Sequence, residues 1–238
     1  MMVSRVLFHL GGRLFYIYGT YHDSYIVTED RMLYGGRFQY LTFLNLVCQL
    51  IYFIIAPCAD ILTLLKGHED NWLVRLRDTV FCALAFPLGV FVAATFWGIY
   101  MIDRNLIFPV AMDAIIPPWL NHLLHTWCAV FVIIEGAFIR HKYPRNCVGL
   151  CLLATFGVVY LIWIMWIAYA AEFWVYPFLR IMPNSFRAAF FSMSFCILVF
   201  FYFLGKWMTL FIWGDGEEQK STNSNPKEGA RKKVKKAD

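Results

Sequence analysis

A hydroxyl and two imidazoles stand out among the polar side chains of a very apolar sequence. Thr42 lies near the start of one apolar stretch, and His122 and His125 lie near the start of another. A hydroxyl with an imidazole is the smallest set that carries nucleophilic acyl transfer, because the neutral imidazole removes the proton from an otherwise weak nucleophile. The set predicts attack on a carbonyl, and the ester of a lipid is the natural carbonyl within a membrane.

Two amides accompany these residues at helical spacing. Asn45 follows Thr42 by three residues, and Asn121 precedes His125 by four. Residues three or four apart share one face of a helix, so each amide is expected beside its partner. Asn45, Asn121 and His122 are therefore candidates for stabilising an oxyanion or orienting the imidazole.

A zinc site is the main alternative for the same histidines. His122 and His125 have His-x-x-His spacing, and Glu135 follows in the same stretch. Glu135 lies ten residues beyond His125, which is about 15 Å along a helix and too far for a shared ion. We therefore predict no metal and no other cofactor, and we expect Glu135 to pair with Lys206 or another polar group.

The composition defines the elements that must position these side chains. Of 238 residues, 60% are of the apolar types AVILMFWYC and 16% are charged, against about 45–50% and about 25% in average soluble domains. Such a chain predicts an all-α, polytopic transmembrane helical bundle. Six spans of about 20 residues each leave no room for a soluble catalytic domain, so any chemistry must occur within or at the edge of the bilayer.

About six apolar stretches are predicted as spans, although His9 and Arg13 weaken the first. They cover residues 6–21, 40–65, 80–102, 119–139, 148–171 and 188–213. Basic residues concentrate beside the span ends on the side that also holds both termini, which predicts cytosolic termini by the positive-inside rule. The second and fourth spans then enter from the same, non-cytosolic face. Thr42 and His125 therefore lie at similar depths, where their side chains can meet.

The chain divides into a membrane domain, residues 1–213, and a polar tail, residues 214–238. The tail holds seven of the 21 lysines and arginines, and this concentration of basic residues in a polar tail does not indicate a nucleic-acid partner. Its composition predicts disorder. Lys235 and Lys236 resemble a dilysine retrieval signal, which predicts the endoplasmic reticulum; alternatively, the basic run binds anionic lipid headgroups.

Several motifs surround these residues. They are Y-G-G-x4-L-T-F at 34–43, L-A-F-P-x-G-V-F-V at 84–92, F-W-G-I-Y at 96–100, D-R at 103–104, P-x-W-L-N-H-x-x-H-T at 117–126 with the proline doubled, and W-V-Y-P-F-L at 174–179. This combination resembles the androgen-induced-gene and androgen-dependent TFPI-regulating protein family. The resemblance extends over residues 34–213, which is most of the chain.

The resemblance implies an activity as well as a fold. Members of this family are multispanning membrane proteins that hydrolyse fatty acid esters of hydroxy fatty acids with a threonine nucleophile and a histidine. It implies that Thr42 of L-T-F is the nucleophile and that His125, the second histidine of N-H-x-x-H-T, is the base. The implied partner is a lipid ester drawn from the bilayer. Position 45 is Asn, where some relatives carry Asp.

Two functions of other classes remain open from the residues alone. A non-catalytic regulator or lipid-binding protein would use the same polar side chains only to join helices. A metal-dependent membrane hydrolase would lose its activity with a chelator and regain it with zinc.

Overall fold

The computed structural model describes residues 2–26, 34–68 and 71–214, and within these ranges it consists of helices and loops without a β-strand. The seven α-helices found there are labelled in chain order as α1 Met2–Tyr25, α2 Leu41–Lys66, α3 Trp72–Ile102, α4 Pro118–Phe138, α5 Asn146–Ala170, α6 Pro177–Ile181 and α7 Asn184–Trp213. The predicted all-α class is confirmed. Lys235, Lys236 and the rest of the tail beyond Gly214 lie outside the described residues.

Five helices of the described chain, α2, α3, α4, α5 and α7, are long and apolar enough to cross a membrane. They match the second to sixth predicted spans, which confirms a polytopic helical membrane protein. The first predicted span forms α1, whose 24 residues are enough to cross at about 1.5 Å per residue, although it is less apolar than the other five. His9 of α1 is fully buried against Asp60 of α2 and Glu135 of α4, so α1 belongs to the bundle.

The third helix begins earlier than the sequence predicts. Arg77 and Asp78 suggest a loop before residue 80, yet the helix starts at Trp72. Asn71 caps it, because the side-chain oxygen accepts a hydrogen bond from the N–H of Val74 at 3.0 Å. Arg77 and Asp78 are buried in the helix because their side chains form an ion pair at 2.8 Å.

Two π-helical turns interrupt the spans, at Phe81–Ala85 in α3 and at Leu123–Trp127 in α4. Each turn widens the helix by one residue and so rotates the following side chains about the axis; such turns are frequent at functional sites. The turn in α4 contains His125. Hydrophobic patterning does not reveal a single inserted residue, because apolar side chains surround it on every face.

The core lies among α1, α2, α3 and α4 and is rich in aromatic rings. Tyr16, Tyr52, Phe53 and Phe81 are fully buried there, and Tyr16 stacks on Phe53 with 5.3 Å between ring centroids. The outer helices α5 and α7 expose many large apolar side chains, as expected for surfaces that face lipid. A large cavity lies between this core and the two outer helices.

Candidate active site

Thr42 and His125 come together at the end of the bundle where α2 begins. The Thr42 Oγ1 atom lies 3.3 Å from His125 Nε2, although the residues are 83 positions apart in the chain. Thr42 is the second residue of α2, because Tyr40 has extended backbone and the helix starts at Leu41. The separation is within the loose range that catalytic hydrogen bonds show before substrate binds. The contact predicted between the hydroxyl and the imidazole is therefore present.

Asn121 holds the other ring nitrogen of His125. The Nδ1 atom lies 2.8 Å from Asn121 Oδ1 and 3.0 Å from the backbone oxygen of the same residue. Both oxygens are acceptors, so Nδ1 carries the proton and Nε2 directs its lone pair at Thr42. The buried ring also lies flat on Phe96, with 3.5 Å between centroids and 11° between planes. These contacts fix both the tautomer and the orientation of the imidazole.

The first turn of α2 places a backbone N–H group beside the Thr42 hydroxyl. The N–H groups of Phe43 and Leu44 donate to the carbonyl of Tyr40 at 3.1 and 3.2 Å. The N–H of Thr42 has no hydrogen-bond partner within the described part of the chain. An unpaired N–H at a helix N-terminus also lies at the positive end of the helix dipole. It is therefore suited to stabilise an oxyanion that forms next to Thr42 Oγ1.

Two tyrosines hold the start of α2 in place. The N–H of Leu41 donates to the hydroxyls of Tyr160 and Tyr176, each at 3.0 Å, and Tyr160 donates in turn to the carbonyl of Gln39 at 3.0 Å. Burial raises the pKa of Tyr176, so its hydroxyl stays neutral and available as an acceptor. The sequence did not reveal these partners, because they lie 119 and 135 positions from Leu41 and tyrosine is common throughout the chain.

Thr42 and His125 line a cavity of about 1070 Å³. The rest of its wall is mainly aliphatic and aromatic and comes mostly from α3, α5, α6, α7 and the loops that follow α3 and α5. Representative lining residues are Leu88, Phe91, Phe108, Leu161 and Phe191. Small-molecule pockets usually measure about 300–1000 Å³, so this cavity has the size and the surface to take long acyl chains.

The structure separates the three other predicted site residues. Asn121 contacts His125, as described above. Asn45 is buried, accepts a hydrogen bond from Gln49 Nε2 at 3.2 Å and lies outside the cavity lining. His122 is exposed, is hydrogen-bonded to Thr126 Oγ1 at 3.1 Å and also lies outside the lining. Asn121 is thus the predicted orienting residue that touches the imidazole.

Glu135 lies in a different part of the bundle from His125. Both of its carboxylate oxygens lie 3.0 Å from His9 Nε2, and one lies 3.2 Å from His141 Nε2. The expected pairing with another polar group is confirmed, but the partner is not Lys206, whose Nζ donates to Asn146 Oδ1 at 2.8 Å. No group of three or more His, Cys, Asp or Glu side chains within the described ranges is arranged to hold a metal ion.

The helical membrane bundle places a hydroxyl, an imidazole and an amide in series at the wall of a large apolar cavity. The class is therefore a polytopic membrane protein with a polar site at a lipid-sized cavity. The chain belongs to the FAR-17a/AIG1-like protein family, whose model matches residues 4–210. This match confirms the family that the sequence motifs indicate.

Curated relatives cover most of the chain. It is 38% identical to the human androgen-induced gene 1 protein over 210 residues, which is 85% of this chain and 88% of the relative. It is 37% identical to the human androgen-dependent TFPI-regulating protein over 182 residues, 76% and 79% of the two chains. Identity to the mouse protein of the latter name is 34% over 204 residues, 84% and 89% of the two chains. No solved structure matches the chain.

Proposed function

We propose that this protein is a membrane-embedded, threonine-type lipid esterase that hydrolyses fatty acid esters of hydroxy fatty acids. The observation that carries the proposal is the 3.3 Å separation of Thr42 Oγ1 and His125 Nε2 at the wall of an apolar cavity of about 1070 Å³. Family membership supports it, because the resemblance implies this substrate class together with a threonine nucleophile and a histidine base.

The first half of the reaction transfers the acyl group to the enzyme. His125 Nε2 takes the proton of the Thr42 hydroxyl as Oγ1 attacks the ester carbonyl. The backbone N–H of Thr42 donates to the resulting oxyanion at the positive end of α2. When the tetrahedral intermediate collapses, the bond to the ester oxygen breaks, His125 returns the proton to that oxygen, and the hydroxy fatty acid leaves.

The second half releases the fatty acid. Water loses a proton to His125 Nε2 and attacks the carbonyl of the acyl-threonine, and the proton then returns to Thr42 Oγ1 as the carboxylic acid departs. Asn121 accepts the Nδ1 hydrogen bond in both halves, so the ring keeps one tautomer in the resting enzyme. The β-branched side chain of Thr42 is stiff at χ1, which keeps Oγ1 directed at the imidazole.

The principal test is loss of ester turnover in two variants. We expect Thr42→Ala and His125→Ala to abolish hydrolysis by purified protein in detergent, because each removes one partner of the proton transfer. His122→Ala is the matched control: it removes an imidazole from the same helix, three residues away and outside the cavity, and should keep wild-type turnover. Thr42→Ser keeps a hydroxyl and should keep part of the activity.

Labelling separates the esterase from the alternative functions. A fluorophosphonate probe should label wild-type protein at Thr42 and fail to label Thr42→Ala. A zinc hydrolase would lose its activity with a chelator, whereas the threonine mechanism predicts unchanged turnover. Lipid binding without release of acid would indicate a non-catalytic lipid-binding protein. Wild-type turnover or undiminished labelling in Thr42→Ala contradicts the proposal.

We further propose residence in the endoplasmic reticulum with both termini in the cytosol. Lys235 and Lys236 support this location through their dilysine spacing, and the concentration of basic residues on one side of the spans supports the orientation. Replacing both lysines with alanine should move a fluorescent fusion out of the endoplasmic reticulum. An unchanged distribution would argue for lipid-headgroup binding by the tail instead.

A further inference from the structure

The cavity that holds Thr42 and His125 has a second polar feature, the side chain of Arg187. This residue lies one turn into α7 and belongs to the cavity lining. Its Nε donates to the carbonyl of Leu179 at 2.8 Å, and its Nη1 donates to Asn184 Oδ1 at 2.7 Å. The guanidinium group is thus held in one position at the cavity wall.

These contacts orient the positive charge of Arg187 without neutralising it. The guanidinium lies over the ring of Trp174, 4.1 Å from its centroid, and its Nη2 has a long contact of 3.5 Å to the carbonyl of Arg180. Its partners in the described chain are therefore neutral acceptors and an aromatic face. Of the five N–H groups of an arginine, these contacts use three, so two remain for a ligand.

Arg187 is half-buried at a cavity wall that is mainly apolar. A charge that is partly removed from water is more stable beside an opposite charge. The carboxylate that also lines the cavity, Asp23, lies 3.5 Å from Arg37, which provides it with a counter-ion. Arg187 has no such partner within the described residues, so an anion with an apolar body is the ligand that complements it.

We propose that Arg187 binds the free carboxylate of the lipid substrate and makes the cavity selective for esters that carry one. This inference rests on the proposed function, because it assigns the acid end of the same substrate. The hydroxy fatty acid part of such an ester carries the carboxylate at one end of an alkyl chain and the ester at its branch point. Arg187 holds the acid end, the apolar wall holds the chain, and the ester carbonyl lies at Thr42.

An arginine suits this role better than a lysine. Its planar group presents two parallel N–H donors to the two oxygens of one carboxylate, and such charge-assisted pairs are about twice as strong as neutral hydrogen bonds. The stacking on Trp174 and the bond to Leu179 fix the plane in advance. A lysine at this position would keep the charge but lose the two-point contact.

The test compares one ester with its methyl-capped form, in which the free carboxylate is masked. Wild-type protein should hydrolyse the free acid with a KM about tenfold to hundredfold lower than that of the methyl ester, as expected for a hydrogen-bonded charge. Arg187→Gln should raise the KM for the free acid to that of the methyl ester while the kcat/KM for the methyl ester stays within about twofold. Arg187→Lys should recover part of the difference.

One control variant distinguishes substrate binding by Arg187 from structural support of α6 and its neighbouring loops. Arg180→Gln removes a charge from the same region. The Nε atom of Arg180 donates to the Trp174 carbonyl at 3.2 Å, but Arg180 lies outside the cavity lining. This variant should therefore keep the preference for the free acid. An Arg187 that only stabilises these elements would lower turnover of both esters equally. That result overturns the inference and leaves the proposed function standing.

A binding measurement gives a readout besides turnover. In Thr42→Ala, which keeps the cavity, a fluorescent polyunsaturated fatty acid should bind more weakly, about tenfold or more, once Arg187→Gln is added. The methyl ester of the same probe should bind both proteins equally. Equal affinity for acid and ester in the parent Thr42→Ala protein contradicts the inference, whereas absence of hydrolysis in the wild type, with binding preserved, contradicts only the esterase.

Discussion

Two polar regions lie toward opposite ends of α2 and α4, and they are built in opposite ways. One is the Thr42–His125 site at the start of both helices. The other is the charged cluster, which consists of Arg5, His9, Asp60, Arg77, Asp78, Glu135 and His141. Both contain buried imidazoles, so burial of a histidine alone does not distinguish a reactive site from a structural one.

The charged cluster is a closed hydrogen-bonded chain. Carboxylates and imidazoles alternate along it in the order Asp60, His9, Glu135, His141 and Asp78, at successive distances of 2.5, 3.0, 3.2 and 2.9 Å. Arg77 pairs with Asp78 at 2.8 Å, and the hydroxyl of Tyr52 donates to Glu135. Each imidazole therefore uses both of its nitrogens, and the cluster joins α1, α2, α3, α4 and the loop after α4.

The Thr42–His125 pair has unused hydrogen-bonding capacity, whereas the groups of the charged cluster bind one another. Nε2 of His125 has the Thr42 hydroxyl as its partner, the N–H of Thr42 has none in the described chain, and both residues border the cavity. Hydrogen-bonding groups that border a cavity in this way are accessible to a substrate. The comparison predicts that substitutions at the site change the chemistry and leave folding intact, and that substitutions in the cluster do the reverse.

The largest effect is expected from Thr42→Val, which removes the hydroxyl and keeps the branched shape. We expect at least a 1000-fold loss of kcat, on the order seen when a nucleophile is removed, because no other hydroxyl reaches Nε2 of His125 among the described contacts. The midpoint of thermal unfolding should stay within about 2 °C of wild type. A variant that loses activity only because it unfolds would break the comparison.

Glu135→Ala should have the opposite result. It leaves two buried imidazoles and the Tyr52 hydroxyl without their shared acceptor, and breaking a buried ion pair costs about 3–5 kcal/mol of unfolding free energy. We expect low yield and a strongly lowered unfolding midpoint in detergent. The fraction that remains folded should keep its kcat, which single-turnover measurements at low temperature can test.

Lys206→Met is the matched control for this substitution. It also removes a charge from a spanning helix, but it breaks only a single hydrogen bond to Asn146 at a partly exposed position, and we expect wild-type stability. If Glu135→Ala kept wild-type stability and failed to turn over the ester, the charged cluster would instead belong to the reaction.

Gly89 lies at a close contact between helices, and its substitution tests how tightly the bundle packs between the two polar regions. A Cβ atom there would lie 2.8 Å from the carbonyl oxygen of Cys128 and 2.9 Å from Gln49 Nε2, at the contact of α3 with α4 and α2. Gly89→Ala should lower the unfolding free energy by about 1–3 kcal/mol, as overpacking does. Gly98→Ala, where the Cβ would meet nothing within 4 Å, should be neutral. Equal stability of the two variants would show that the helices adjust freely at this contact.

The sequence predicted the contact between Thr42 and His125 but not the charged cluster. Thr42 and His125 are polar residues near the starts of two long apolar stretches that run in the same direction, which predicts similar depths in the membrane, and the family resemblance selects this pair from the other polar residues. His9, Asp60 and Glu135 also stand out as ionisable residues in apolar stretches. However, His141, which contacts Glu135, and Asp78, which contacts His141, lie in segments that read as loops. The order of the spans predicts the depth of each residue in the membrane, but it does not predict which helices pack against each other.

Local geometry accounts for the other differences. The helix α3 starts at Trp72, where Asn71 caps it, and it can bury Arg77 and Asp78 because their side chains neutralise each other, which a count of charges cannot anticipate. Arg187 looked like one more basic residue beside a span end, because only the packing of α7 against α6 turns the side chain to the cavity.

The smallest effect is expected from Asn121→Ala, and its size depends on a backbone atom. His125 Nδ1 has two acceptors in this residue, the side-chain oxygen at 2.8 Å and the carbonyl oxygen at 3.0 Å. Removing the side chain leaves the carbonyl, which still favours the proton on Nδ1 and a free Nε2. We therefore expect kcat to fall about tenfold, which is part of the 10²–10⁴-fold that general base catalysis contributes, with little change in KM. A loss of kcat as large as that of Thr42→Val would mean that the side-chain amide itself acts in the reaction. An unchanged kcat would mean that the carbonyl and the stacking on Phe96 orient the imidazole without the amide.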